Sequence, residues 1–149
     1  MGVALKIYTD GACRGNPGPG GWAAVLCSGE ELRELSGYDP STTNNRMELT
    51  AAIEGLAATP AGTQALVITD SRYLLDGITR WVHEWRRRGW RKADRKPVLN
   101  QDLWQRLLGE VESREVSWKW VEGHSGHEEN ERCDRLANVE IDRHAGESR

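Results

Sequence analysis

Val3-Ala4-Leu5-Lys6-Ile7-Tyr8-Thr9-Asp10-Gly11 opens the chain with a β-branched, apolar run that predicts a strand over Val3–Thr9, closed by an acid and a glycine. The pattern recurs at Ala65-Leu66-Val67-Ile68, a continuous apolar run of the kind covered on both faces of a sheet, closed by Asp70 before Ser71. After the first run, Gly15-Asn16-Pro17-Gly18-Pro19-Gly20-Gly21 reads as a tight loop. Trp22–Cys27 reads as a second strand, Ser28-Gly29 as a turn and Glu31–Tyr38 as a weaker third strand. Three short consecutive strands predict an antiparallel meander.

Beyond the meander the period changes. Leu49, Ala52, Ile53 and Leu56 mark a helix entered through Thr42-Thr43-Asn44-Asn45 and ended before Pro60. Leu74, Ile78, Trp81, Val82 and Trp85 follow the fourth strand at helical spacing. Asn100 is placed to cap a helix carrying Leu103, Leu107 and Val111. Val116, Trp118 and Trp120 alternate as a fifth strand, and a last helix carries Cys133, Leu136, Ala137 and Ile141. This order predicts one α/β domain over residues 1–149: a mixed five-stranded sheet with helices on both faces. Its first three strands form the meander, and right-handed crossovers bring the last two parallel to the first. Asp10 and Asp70 then end neighbouring strands at one edge of the sheet, where α/β folds place their sites.

Two further acids share that region. Glu48 lines up with Ala52 and Leu56 at i+4 and i+8, which turns it inward, and Asp134 borders the stripe of Ala137 and Ile141 at a helix start. Each acid has an ordinary alternative: an Asx-turn at Asp10, a helix cap at Asp70, a capping arrangement of Glu48 with Asn45, a solvated charge at Asp134. Together, inward carboxylates without a buried basic partner call for cations, because a bare buried carboxylate is costly. Hard oxygen ligands favour Mg²⁺ or Mn²⁺ over zinc, and a pair of such ions can hold the attacking and leaving oxygens of a phosphodiester. His124, in Gly123-His124-Ser125-Gly126, is a candidate for proton handling or product release beside them.

Charge distribution suggests the substrate. The net charge is −3, yet Arg80–Lys96 holds eight basic residues against Glu84 and Asp94, so that window is +6 and the rest of the chain −9. A local basic patch matters more to a polyanion than the overall balance does. The window forms a basic protrusion over about residues 80–98, broken by Gly89. Trp81, Trp85, Trp90 and Trp104 lie among its arginines, where rings can pack on sugars and bases while arginines hold phosphates. The alternative places Trp81 and Trp85 in the core stripe with Trp90 anchoring the projection, while Trp22, Trp118 and Trp120 read as core. Cys13, Cys27 and Cys133 are widely spaced with no CxxC pair, which suits reduced thiols and a cytoplasmic protein. No apolar run approaches the length of a membrane span, and the first residues do not form a signal peptide.

At these residues the chain resembles bacterial ribonuclease H of type 1. The resemblance is carried by Tyr8-Thr9-Asp10-Gly11 with the Gly15–Gly21 run, Thr42–Leu49, Thr69-Asp70-Ser71, Arg87-Arg88-Gly89-Trp90, Asp102-Leu103-Trp104, and Gly123–His127 through Glu129–Asp134. It implies endonucleolytic cleavage of the RNA strand of RNA–DNA hybrids, leaving 3′-hydroxyl and 5′-phosphate ends, by a monomer. By that resemblance Asp10, Glu48, Asp70 and Asp134 hold two Mg²⁺ ions (Mn²⁺ substituting) and His124 assists turnover. Thr43, Asn44 and Arg46 would form a phosphate pocket for the DNA strand at a helix start. Asn16, Asn44 and Asn45, with backbone near Gly11 and Cys13, would contact the RNA strand and its 2′-hydroxyls. Trp81 and Trp104 would flank the DNA channel, with Trp85, Arg86, Arg87, Arg88 and Trp90 in the matching protrusion. Arg72 stands where the family commonly has an amide that bonds the RNA strand; a guanidinium keeps the donors and loses the acceptor.

Overall fold

Alternation along the central strands explains how one sheet serves two layers of helices. In a computed structural model describing residues 5–123 and 128–145, β1 (Leu5–Cys13), β2 (Gly18–Ser28) and β3 (Glu31–Thr42) form the antiparallel meander. β4 (Gln64–Thr69) and β5 (Glu115–Trp120) add in parallel on the other side of β1, giving the order β3-β2-β1-β4-β5. Ile7, Ala24, Leu26 and Val67 face a core built with α1 (Asn44–Ala57) and α4 (Gln101–Glu112). Ala23 and Val25, one residue out of phase on β2, face Cys133 and Ala137 of α5 (Glu128–His144). No helix among the described residues is long and apolar enough to cross a membrane.

Several strand limits differ from those the sequence suggests. β1 continues through Asp10 to Cys13; what stops after Thr9 is its pairing with β4, whose last rung is Thr9–Thr69. β2 begins inside the glycine-rich run, at Gly18. The glycines serve close approach there: a Cβ on Gly21 would lie 2.2 Å from the Ala137 carbonyl of α5, and one on Gly20 2.5 Å from the Thr42 side chain. β3 runs on to Thr42, directly before the Thr43 N-cap of α1, whose hydroxyl accepts from the Arg46 N–H at 3.2 Å.

After β4, Ser71 rather than Asp70 caps α2 (Arg72–Asp76), its hydroxyl accepting from Leu74 at 3.1 Å. A π-helical turn over Gly77–Trp81 joins α2 to α3 (Val82–Arg87), so the spacing that suggests one helix spans three segments. Such a wide turn marks a place where packing overrides regular hydrogen bonding. The packing partner is Trp104, fully buried with its ring against Gly77. Tyr73, Trp81, Trp85 and Trp104 stack in a continuous cluster with ring centres 5.3–6.0 Å apart, and the Trp104 indole donates to the Tyr73 hydroxyl at 3.1 Å. Trp120, by contrast, is 40% exposed at the end of β5. Trp22 and Trp118 are half-buried. Asn100 occupies the N-cap position of α4 without capping it; its amide bonds Tyr73 and Arg46 instead.

A Cβ on Gly77 would sit 2.0 Å from the Trp104 ring. Gly77→Ala is therefore expected to destabilise the protein by about 1–3 kcal/mol, the usual range for overpacking a tight core. A thermal melt followed by circular dichroism checks this; an unchanged Tm would mean that the ring yields freely.

Candidate active site

Where β1 and β4 part, their next residues are Asp10 and Asp70, in register by one step beyond the Thr9–Thr69 rung. α1 crosses β1 immediately above, close enough that a Cβ on Gly11 would lie 2.5 Å from the Glu48 backbone nitrogen. That approach brings Glu48 down beside the strand ends. Carboxylate oxygens of Asp10, Glu48 and Asp70 consequently lie within 4.8 Å of one another. Asp10 and Glu48 are buried, at 5% exposure each, and Asp70 is half-buried. Asp134 lies outside this tight set but faces Asp10 from within α5, rather than from its start. Asn138, one turn on, donates to the Asp134 carbonyl at 2.9 Å and to its carboxylate at 3.4 Å. Its i+4 spacing was the only signal available for that support.

Burial and like charge set the electrostatics of the cluster. Burial pushes the Asp10 carboxyl up to about 8, and the Asp70 and Asp134 charges push the same way; the Gly11 N–H, donating to Asp10 at 2.9 Å, pulls it back. Burial also raises Glu48 well above the usual carboxylate range, helped by Asp10 and Asp70. One Glu48 oxygen, Oε1, is buried with no hydrogen-bond partner among the described residues. A buried oxygen without a donor, in a cluster of like charges, fits a hard divalent cation. Asp10, Glu48, Asp70 and Asp134 are the residues that would hold it.

The remaining sequence candidates fall into separate groups. Asn16, Thr43, Asn44 and Asn45 line one cavity of about 180 Å³, and Leu99 and Asn100 complete it, a contribution the sequence did not suggest. The Cys13 thiol turns into its own loop, donating to Gly15 and Thr42 carbonyls at 2.9 and 3.3 Å, so only its backbone is presented outward. Arg46 is held by Asp102 through two bonds of 2.8 and 3.0 Å; that carboxylate raises the guanidinium further and is itself lowered. Trp81 and Trp85 line a surface cavity of about 450 Å³ with Arg88, Arg91 and Lys92. Trp104 cannot flank a nucleic-acid channel, because its ring is wholly enclosed beneath that cluster. Trp90 anchors the protrusion, its N–H donating to Trp85 at 2.7 Å and its carbonyl accepting from Val98 at 3.1 Å.

Within the protrusion the charges are unequal. Arg86 makes a bidentate pair with Glu112 at 2.8 and 3.0 Å, and Arg87 and Arg88 both bond Glu84. Arg91, Arg95 and Lys96 are exposed and join no ion pair among the described residues. The loop carrying them folds back through Lys92 N–H to Lys96 carbonyl and Arg95 N–H to Lys92 carbonyl. His124 lies outside the described residues.

Carboxylates gathered where the central strands of a mixed sheet part, in a chain that also carries a strongly basic segment, are the marks of a hydrolase of the nuclease class. Residues 3–142 match the family model described as RNase H. A ribonuclease H of Halorhodospira halophila is 59% identical over 138 residues, covering 93% of each chain. One of Alcanivorax borkumensis is 57% identical over 136 residues, covering 91% of this chain and 90% of that one. Among solved structures, LC9-RNase H1, a type 1 RNase H with the type 2 active-site motif, superposes with a TM-score of 0.85 at 36% identity. That match covers 95% of this chain and 74% of the other. LC11-RNase H1 in complex with RNA/DNA hybrid matches with a TM-score of 0.69 at 26% identity, over 93% and 97%. The chain belongs to the RNase H family.

The raised acids have a consequence for stability. Asp10 goes from an ordinary carboxyl in the unfolded chain to one titrating at about 8 in the fold, so the folded state binds more protons across that window. As far as Asp10 is concerned, stability of the metal-free protein should therefore be greatest below about pH 4 and fall steadily as pH rises through to about 8. Melts in a chelator at pH 5 and pH 8 check this. Asp10→Asn should raise the pH 8 Tm by about 2–6 °C, the shift that one to two kcal/mol makes in a domain of this size. A Tm equal to the parent's at pH 8 would mean that the acids do not repel.

Proposed function

We propose that this protein is an endonuclease that hydrolyses the RNA strand of RNA–DNA hybrids, leaving 5′-phosphate and 3′-hydroxyl ends, and that it acts as a cytoplasmic monomer. Asp10, Glu48, Asp70 and Asp134 hold two Mg²⁺ ions, for which Mn²⁺ can substitute. The observation that carries this reading is the orphaned, buried Glu48 oxygen among converging carboxylates. Bound there, such ions stabilise charge on the attacking and leaving oxygens of a phosphodiester. The similar LC11-RNase H1 is a complex with RNA/DNA hybrid, which supports the choice of substrate.

The chain's own residues orient the two strands. Asn16, Asn44 and Asn45 share one concave surface, where their amides can donate to and accept from 2′-hydroxyls and base edges. Thr43 and the first N–H groups of α1 offer an anion site for a phosphate of the DNA strand, with Arg46 beside it. Trp81 and Trp85 give an apolar floor to the surface that Arg88, Arg91 and Lys92 border. Arg86 and Arg87 add charge behind it. Arg72 sits one residue beyond the Ser71 cap, at the rim of the acids. His124 handles a proton or the departing product.

Asp10→Asn removes an oxygen charge where the cations bind, and is expected to lower cleavage of a labelled RNA–DNA hybrid on the order of a thousandfold. Hybrid binding by the same variant should remain. Equal cutting of hybrid, duplex DNA and duplex RNA by the parent protein would overturn the substrate assignment. Near-parental cleavage by the variant would overturn the metal assignment.

The unpaired cations of the protrusion give a second test. Replacing Arg91, Arg95 and Lys96 by alanine should raise KM with kcat retained, and flatten log KM against log salt by up to about 3, near one per lost phosphate contact. Replacing Arg86, Arg87 and Arg88 should flatten it less, since their carboxylate partners are released with them. A fall in kcat at constant KM would give the arm a role in chemistry instead.

A further inference from the structure

The β4–β5 ladder ends at Thr69–Trp120, with the Val121 N–H donating to the Thr69 carbonyl at 2.9 Å. One residue further on, β4 has become the acid-bearing turn, beyond the last rung of the ladder. There a side chain reaches the Asp70 carbonyl: the Trp120 indole Nε1 donates to it at 3.2 Å. The indole thus extends the sheet's pairing by one residue, to the residue that carries a carboxylate of the acid cluster. The chain just beyond β5 also approaches the Asp70 side chain: a Cβ on Gly123 would lie 2.9 Å from the Asp70 carboxylate. Asp70 is therefore held at its carbonyl by Trp120 and approached closely at its carboxylate by the backbone of Gly123.

The face of that indole has a second occupant. The Arg72 guanidinium lies 5.0 Å from the Trp120 ring centre, within cation–π range. Arg72 is exposed and joins no ion pair among the described residues. Trp120 is 40% exposed at the end of the edge strand β5, and the Arg72 guanidinium lies over one face of its ring.

We infer that Trp120 is a positioning residue that fixes the Asp70 backbone through its N–H and seats the Arg72 guanidinium on its face, where Arg72 meets a phosphate of the polynucleotide beside the acids. The inference rests on the proposed function for the identity of the polynucleotide. A guanidinium held this way recognises the charge of the backbone and needs no particular base, unlike an amide that reads a base edge.

The two attachments are separable. Trp120→Phe keeps a ring under Arg72 and removes the N–H; Arg72→Gln keeps the N–H and removes the charge. Calorimetric titration of each free protein with Mg²⁺ reads the first attachment. Trp120→Phe is expected to weaken Mg²⁺ binding about three- to tenfold, the range for one lost hydrogen bond, while Arg72→Gln leaves it unchanged or strengthens it slightly by removing a nearby positive charge. Steady-state cleavage of an RNA–DNA hybrid over a salt series reads the second. Arg72→Gln should raise KM and flatten its salt dependence by about one phosphate contact, whereas Trp120→Phe should lower kcat and leave that slope intact. A Trp120→Phe protein with parental Mg²⁺ affinity and kcat overturns the positioning role. An Arg72→Gln protein with parental KM and salt slope overturns the phosphate contact. Melts confirm that both variants fold, and each carries its own arm if the other does not. If the parent protein neither binds Mg²⁺ nor cuts hybrid, the underlying function fails; if it does both and the variants match it, this inference alone fails.

Discussion

Gly11 lacks a side chain, and α1 occupies the space one would need. The Glu48 backbone nitrogen sits where a Cβ would be 2.5 Å away and the Met47 carbonyl carbon where it would be 2.6 Å away, so helix and strand meet backbone to backbone here. The contact sets the height of α1 above β1 and brings Glu48 level with Asp10. Any side chain at this position would lift α1, withdraw Glu48 from the cluster and loosen the layer of Leu49, Ile53 and Leu56 beneath it. Packing of the core and geometry of the site therefore depend on one steric allowance.

The site is stable only by a compromise. Asp10 and Glu48 are driven toward their protonated forms by burial and by each other, and a Glu48 oxygen has no donor among the described residues. Natural folds tolerate such clusters where a ligand resolves them. The cost is carried by the rigid frame around it: the Thr9–Thr69 rung, the Ser71 cap and the fully buried Leu49, Leu56 and Val67. Cations that suit the cluster would stabilise the fold in proportion to their affinity for it.

Much of this was legible in the sequence, because local pattern and tertiary placement agree there. Two apolar runs ending in Asp10 and Asp70, and Glu48 in phase with Ala52 and Leu56, predict the convergence that the three carboxylates show. Legibility failed where a distant partner decides. The glycine-rich run looks like loop, yet Gly20 and Gly21 belong to β2 because Thr42 and α5 press against them. Trp104, in a helix with polar residues among its apolar ones, looks substrate-facing but fills the space beside Gly77. Trp120 alternates correctly with Trp118, yet it projects past the helices that would have covered it. Arginines in a basic run look alike, and only the fold shows Glu112 reaching Arg86 across α4 and α3.

Those carboxylates alter how the basic arm should hold a polyanion. Glu84, Glu112 and Asp102 already sit on Arg87, Arg88, Arg86 and Arg46 in the geometry a phosphate would take. A nucleic acid arriving there would exchange one anion for another, and the gain would be a difference between two similar contacts. Only Arg91, Arg95 and Lys96, which join no ion pair among the described residues, would make wholly new ones. Attachment by exchange would be shallow and reversible along most of the arm, and a departing strand would find its place refilled by the protein's own acids.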